Sequence, residues 1–173
     1  MTVTYRNANP EDAETLAELG RATFVETFGH LYTPENLAAF LESHSPERWR
    51  AELSDPAFSV RLAEEDGRSA AYAKLAPPSL PFETDRAATE LRQFYVLSPW
   101  HGQGISTELM AWALAEARSR GAEELYLSVF VDNHRARRFY ERYGFTFVGT
   151  YAFMVGEHAD EDHVMRLSLK ESR

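Results

Sequence analysis

The chain has 173 residues, of which 44% are hydrophobic and 13% aromatic, enough apolar material for one folded domain and too much for a disordered chain. Its formal net charge of −9 disfavours DNA binding that relies on basic surfaces, so we expect no nucleic-acid partner. The absence of cysteine excludes disulfides, cysteine zinc sites and a cysteine nucleophile.

The hydropathy of the chain also limits the classes of protein to which it can belong. No apolar run approaches the length of a membrane span, and the N-terminus lacks the basic and apolar regions of a signal peptide. We therefore expect no membrane partner and a cytoplasmic location.

The first third of the chain predicts a strand and three helices. Residues 3–6 alternate as in a strand. Three helix starts then follow, each a capping residue with proline next to it: Asn9-Pro10, Thr33-Pro34 and Ser45-Pro46.

The remaining two thirds predict mainly strands. Residues 58–63 and 68–76 form a hairpin around Asp66-Gly67. After a proline-rich loop come a strand at 89–97, a glycine turn, a helix ending at Gly121, a buried strand at 124–131 and a short helix capped by Asn133. Strands at 145–155 and 163–170 close the chain.

This order, β-α-α-α-β-β-β-α-β-α-β-β, predicts one domain spanning residues 1–173. We expect an α/β fold of the α+β type, with a mixed, mostly antiparallel sheet flanked by helices.

The most informative segment is the turn from His101 to Ser106, between a strand and a helix. Glycines such as Gly102 and Gly104 let an anion approach the backbone, and the free N–H groups at the start of the helix then point at it. The turn lacks the Lys-Ser/Thr of a Walker loop and the third glycine of a dinucleotide fingerprint. It therefore predicts a phosphate or pyrophosphate site of another kind.

Two motifs resemble the GNAT superfamily of acetyltransferases. The first is [Gln/Arg]-x-x-Gly-x-[Gly/Ala], matched here by His101-x-x-Gly104-x-Ser106, with departures at both ends. The second, Asn-x-x-Ala-x-x-Phe-Tyr-x-x-x-Gly-Phe, is filled by residues 133–145. The flanking segments resemble the branch that includes bacterial spermidine/spermine acetyltransferases.

The resemblance implies acetyl-CoA as cosubstrate and no metal. It implies that the strand before the turn splays from its neighbour, that Val96 N–H faces the thioester oxygen, and that Asn133 lies near the pantetheine arm. The cofactor-binding residues so implied are Tyr95, Val96, Leu97, His101, Gly102, Gln103, Gly104, Ile105, Ser106 and Asn133.

Two catalytic residues are implied in the same way. Tyr140 occupies the position of a general-acid tyrosine, although aromatic residues at helical spacing also build cores. Glu90 is the candidate general base because six residues place it on the face of Val96 in an ideal pleat. The alternative for Glu90 is a carboxylate exposed to solvent. His101 is a second candidate for the base, because histidine is a residue type that often accepts a proton in catalysis.

The acidic stretch at 157–162, with His158 and His163, has three interpretations: a solvated hairpin tip, a metal cluster, or a lining of the acceptor site that attracts a polyamine. Arg135, Arg137 and Arg138 either meet the CoA 3′-phosphate or form a solvated helix face.

The sequence therefore predicts an N-acetyltransferase that acts on a primary amine, with a polyamine or similar small cation as the first acceptor. Acetylation of a protein N-terminus or lysine is one alternative, and a CoA-binding sensor without catalysis is another. Members of the family are often dimers, so a homodimer is also raised, although no residue here identifies one.

Overall fold

A computed structural model describes residues 2–170; of the domain predicted at 1–173, residue 1 and residues 171–173 lie outside that range. The strands are β1 (Val3–Asn7), β2 (Ser59–Glu65), β3 (Arg68–Ala76), β4 (Ala88–Val96), β5 (Glu124–Phe130), β6 (Thr146–Val155) and β7 (His158–Ser168). The α-helices are α1 (Ala13–Phe28), α2 (Pro34–Leu41), α3 (Pro46–Leu53), α4 (Ile105–Ser119) and α5 (His134–Arg142).

The strands form one seven-stranded sheet in the order β1-β2-β3-β4-β5-β7-β6. Every neighbouring pair is antiparallel except β4 and β5, which are parallel. The predicted mixed, mostly antiparallel sheet is therefore confirmed, and the single parallel pair lies at its centre.

Helices cover both faces of the sheet. On one face α4 packs through residues that are 0% exposed, among them Leu109, Met110 and Ala113. On the other face α1 and α3 enclose a second apolar cluster that contains Leu16 and Trp49. Burial on two faces explains why the central strands read as near-continuous apolar runs.

The predicted helix starts are confirmed, with one shift. The Thr33 side chain accepts from Asn36 N at 3.2 Å, and Ser45 accepts from Arg48 N at 3.2 Å. Asn9 caps a 3₁₀ turn at Pro10–Asp12, and α1 itself begins only at Ala13.

The β6–β7 hairpin differs from the prediction. Strand β7 begins at His158 rather than at residue 163, so the acidic stretch lies within a strand. Alternation along this strand buries Asp160 and Asp162 and exposes Glu161. A solvated hairpin tip is therefore the wrong interpretation for two of these carboxylates.

No helix within residues 2–170 combines the length and the hydropathy that a membrane crossing requires.

Candidate active site

The two parallel strands at the centre of the sheet separate along their length. Pairing between β4 and β5 is confined to residues 88–90 and 124–126. Beyond that point β4 stays paired with β3, while β5 stays paired with β7. The sheet therefore opens into a cleft whose walls are the unpaired edges of β4 and β5.

At the end of β4 the cleft exposes the backbone of Val96. Leu97 N donates to Ala70 O at 2.9 Å, and the antiparallel register pairs Val96 with Ala71. Since bonded and non-bonded pairs alternate in such a ladder, Val96 N–H points away from β3 into the opening. The backbones of Tyr95 and Leu97 face β3 instead, so Val96 is the one of the three predicted residues whose amide faces the cleft.

The glycine turn follows directly. Gly102 and Gly104 have φ of 78° and 80°, values that favour glycine, and a Cβ at either position would meet nothing within 4 Å. Gly104 precedes α4 without a side-chain cap, so Ser106 lies inside the first turn of the helix rather than capping it. In the described part of the chain, the amides of residues 102–107 donate to no protein acceptor. The turn thus presents free N–H groups at the positive end of a 15-residue helix.

A groove of about 660 Å³ runs from this turn along β4 to α5. Eight of the ten predicted cofactor-binding residues line it, and Leu97 and Gln103 do not. The eight are Tyr95, Val96, His101, Gly102, Gly104, Ile105, Ser106 and Asn133. Phosphate-sized anions fit this wall, because it offers backbone donors and open space in place of side chains.

The N-terminus of α5 forms the opposite wall. The Asn133 side chain accepts from Ala136 N at 3.3 Å, so it caps the helix. Arg135 and Arg142 line the groove, whereas Arg137 donates to Val131 O at 3.0 Å. Of the predicted basic run, Arg135 therefore faces the groove, and Arg142 adds a cation that the sequence analysis missed.

His101 is held within the turn. Its Nε2 lies 2.7 Å from Val96 O, inside the opening of the sheet. This contact holds the imidazole against the backbone beside the predicted thioester position. A smaller cavity adjoins the groove, and His101 does not line it.

That cavity, of about 120 Å³, lies at the inner end of the groove. The groove and the cavity share lining residues, which therefore form the passage between them: Thr27, Phe94, Tyr95, Asn133, Ala136 and Tyr140. Two molecules bound in the two spaces would meet at this passage.

Tyr140 lies at the junction and is 8% exposed. Its ring packs against Phe94, Phe139 and Phe145 with centroid distances of 6.3, 5.6 and 5.7 Å. Burial is the larger cause, and the nearby Tyr95 the smaller cause, of a rise in the pKa of its hydroxyl above the usual value near 10. The hydroxyl therefore stays protonated at neutral pH. Tyr140 is thus both part of the core and available at the site.

Glu90 lies elsewhere. Its carboxylate, 3% exposed, accepts from Ser79 N at 2.9 Å and forms an ion pair with Arg92 Nε at 2.9 Å. It lines neither the groove nor the cavity.

A β-bulge explains that position. Leu75 pairs with Leu91 and Lys74 with Gln93, so β4 holds one extra residue between them. The extra residue reverses the alternation of side chains, and Val96 then shares a face with Leu91 rather than with Glu90. The expectation that Glu90 and Val96 lie on one face is therefore wrong.

Two carboxylates line the cavity, both from β7. Asp160 accepts from Tyr32 Oη in a short contact and lies 3.0 Å from His158 Nε2, so both of its oxygens have partners. Asp162 is 5% exposed and faces the cavity beside Tyr95.

Burial is the main reason that the pKa of Asp162 is raised to about 7; a hydrogen bond from Ser128 opposes the rise, and the charge of Asp160 adds to it. A carboxylate with this pKa can take a proton from an ammonium near neutral pH. Asp162 was not predicted as an individual site residue, although the alternation of residues 158–168 carried the signal.

Within residues 2–170, no three His, Asp or Glu side chains are arranged to hold a metal ion. Of the carboxylates and imidazoles in the β6–β7 hairpin, Asp160 and Asp162 line the cavity.

Comparison with known proteins identifies this arrangement. The family profile described as Acetyltransferase (GNAT) family matches residues 24–145. An uncharacterized N-acetyltransferase of Mycobacterium bovis is 36% identical over 155 residues, which cover 89% of this chain and 96% of the relative. The aminoalkylphosphonate N-acetyltransferase of Salmonella typhimurium is 37% identical over 97 residues, covering 55% of this chain and 61% of the relative.

A solved structure has the same fold. The PaiA N-acetyltransferase of Thermoplasma acidophilum, in complex with coenzyme A, superposes with a TM-score of 0.77 at 21% identity, covering 97% of this chain and 99% of that one. The family profile spans more than two thirds of the sequence, and the opened sheet with its glycine turn lies inside the fold that these proteins share. The chain belongs to the acetyltransferase (GNAT) family and is an acetyl-CoA-dependent N-acetyltransferase.

Proposed function

We propose that this enzyme transfers acetyl from acetyl-CoA, bound in the groove, to a small primary amine bound in the cavity, by direct attack while both are present. The proposal rests on one observation. The groove and the cavity adjoin at Tyr95 and Tyr140, beside the free N–H of Val96. Acetyl-CoA supplies the activated acetyl group as a thioester.

The glycine turn suits the diphosphate of CoA. Free amides of residues 102–107 supply donors, and the left-handed φ of Gly102 and Gly104 lets the backbone approach the phosphates. The guanidinium groups of Arg135 and Arg142 supply positive charge across the groove. These features support the cofactor-binding residues named from the sequence, with Val96 as the donor to the thioester oxygen.

The amine must be neutral to attack, so a base is required. We assign this role to Asp162, which faces the cavity, in place of Glu90, whose carboxylate is engaged by Ser79 and Arg92. Asp162 takes the proton of the ammonium, and the nitrogen then bonds to the acetyl carbon.

Val96 N–H donates to the oxygen that becomes negative during attack, a contribution of about 3–4 kcal/mol for such a donor. As the C–S bond breaks, the protonated hydroxyl of Tyr140 is the donor that stabilises the charge on sulfur. The second proton lost by the nitrogen balances the one that the thiolate gains.

The acceptor is a small primary amine. A polyamine acceptor stays a prediction supported by the acidic stretch, and the spermidine/spermine branch stays a prediction from the flanking segments. The homodimer and the cytoplasmic location also stay predictions. Acetylation of a peptide N-terminus and a sensor without catalysis are the alternatives.

Two assays separate these outcomes. Calorimetric titration with acetyl-CoA tests binding, and thiol release with a panel of amines and an N-terminal peptide tests transfer. Binding without thiol release from any acceptor would favour the sensor, and reaction of the peptide alone would favour the N-terminal alternative.

Gly104→Ala should weaken CoA binding at least about tenfold, because the new Cβ lies where the free amides of the turn face the groove. Gly121→Ala is the matched control, since Gly121 also has φ of 80° and open space but terminates the same helix at its far end.

Both variants should lose a similar ~1 kcal/mol of folding stability from the left-handed backbone. Thermal unfolding and calorimetric titration with CoA measure the two effects separately. Equal CoA affinity in the two variants would show that the turn does not hold the diphosphate.

A further inference from the structure

Resting on the proposed function, we infer that the natural acceptor carries one amine on an apolar body, best filled by a single aromatic ring, and brings no second charge into the cavity. The inference concerns the class of amine, and it departs from the polyamine predicted from the sequence.

Eight of the eighteen residues that line the cavity are aromatic. Phe24 stacks on Tyr32 with ring centroids 5.9 Å apart, and it contacts Phe28 at 5.3 Å. Phe130 packs edge-on against Phe28 at 6.2 Å, and Phe153 of β6 also lines the space. Side chains of this kind bind an apolar group with offset or edge-on ring contacts.

The volume suits one ring. The cavity measures about 120 Å³ and opens toward the groove. An apolar cavity of about 150 Å³ in another protein accommodates a benzene molecule. A phenyl group with a short alkylamine arm therefore matches the space, with the arm directed to the passage.

The charges in the cavity favour a single ammonium. Each oxygen of Asp160 already has one partner, Tyr32 or His158, so Asp162 is the carboxylate with more of its acceptor capacity open to a ligand. Arg92 also contributes to the lining, but its guanidinium is bound by Glu90 and by Pro77 O at 2.6 Å.

A second ammonium would therefore have to share Asp160 with Tyr32 and His158 while buried among the rings. Burying a charge that lacks its full set of partners is costly, and contact with an aromatic face offsets only part of that cost. A ligand with an anionic tail is also disfavoured, because the guanidinium of Arg92 in the lining already has partners. The cavity thus favours a monoamine with an apolar body over a polyamine or an aminoalkylphosphonate.

The test compares phenethylamine, butylamine, spermidine and 2-aminoethylphosphonate at pH 8 by thiol release, with calorimetric titration of acetyl-CoA in parallel. We expect kcat/KM for phenethylamine to exceed that for spermidine by at least about tenfold. Butylamine should fall between them, because it is singly charged but lacks the ring.

Phe153→Ala makes the comparison specific to the cavity. Phe153 is half-buried on an edge strand, so its removal should leave the fold intact, and the loss of one ring contact should lower kcat/KM for phenethylamine about tenfold. The control is Met154→Ala, the next residue of β6, which is 50% exposed and points away from the cavity. It should leave the preference unchanged.

The outcomes separate this inference from the function on which it rests. Acetylation of spermidine or the phosphonate at least as efficiently as phenethylamine, with acetyl-CoA bound, would overturn the acceptor class and leave the transferase intact. The same holds if Phe153→Ala and Met154→Ala behave alike. Acetyl-CoA binding without thiol release from any amine would overturn the proposed function, and the acceptor class with it.

Discussion

Asp162→Asn should lower kcat/KM about 10²–10⁴-fold at pH 8, the range expected when a general base is removed. In the wild-type enzyme, activity should rise with pH through about 7 and then level off, because Asp162 accepts a proton only when ionised and its pKa is about 7. The variant should lose this rise. Initial rates of thiol release across pH 5.5–9 measure both effects.

Two matched substitutions make the assignment specific. Glu161→Gln removes a carboxylate from the adjacent, exposed position of β7, and it should keep both rate and pH profile. Glu90→Gln tests the base predicted from the sequence. If Glu90→Gln removes the pH-dependent rise while Asp162→Asn keeps it, the assignment to Asp162 is wrong.

The carboxylate of Asp162 should also affect folding stability, and this effect is independent of activity. Its pKa is raised from 3.8 to about 7 in the folded state, so the native protein binds the extra proton between these values and the unfolded chain does not. Above pH 7 the ionised carboxylate therefore lowers the folding stability by its full amount. This destabilisation disappears below pH 4.

Asp162→Asn should accordingly raise the melting temperature at pH 8 by a few degrees and leave it nearly unchanged at pH 4, since about 1 kcal/mol moves a domain of this size by about 2–4 °C. Scanning calorimetry at the two pH values measures the difference. A melting temperature lowered equally at both would mean that Asp162 is not held in an unfavourable ionised state.

Local motifs in the sequence were sufficient for the fold and for the groove. The glycine turn, the cap at Asn133 and the junction residue Tyr140 each depend on neighbours within a few positions of the chain. The hairpin at Asp66-Gly67, with φ of 51° and 76°, was predictable for the same reason.

The base was not predictable, because its position depends on strand register. The spacing from Glu90 to Val96 assumed an ideal pleat, and the bulge opposite Lys74 and Leu75 reversed it. For Asp162 the alternating pattern of β7 was visible, but a run of acidic residues favoured a solvated tip over a buried strand.

The acceptor cavity depends on contacts between distant parts of the chain. Phe24 comes from α1, Tyr32 from the connection between α1 and α2, Phe130 from the end of β5 and Phe153 from β6. No local pattern brings these rings together. The class of amine could therefore be argued only once the tertiary packing was known.

Tyr140→Phe should lower kcat about 10²–10⁴-fold while changing acetyl-CoA affinity less than about twofold. Phenylalanine keeps the ring contacts with Phe94, Phe139 and Phe145, so the substitution removes a donor and preserves the packing. The lost donor acts only as charge develops on sulfur, so the ground state is little affected. Single-turnover kinetics and calorimetric titration separate the two quantities.

Tyr143→Phe is the control, because Tyr143 directly follows α5, packs against Phe139 and lies outside the groove and the cavity. It should leave kcat unchanged. Since Tyr140 acts on the leaving group and Asp162 on the amine, Tyr140→Phe should retain the rise in activity through pH 7 at its reduced rate. Equal kcat in Tyr140→Phe and wild type would mean that another donor, or solvent, protonates the thiolate, and that Tyr140 belongs to the core alone.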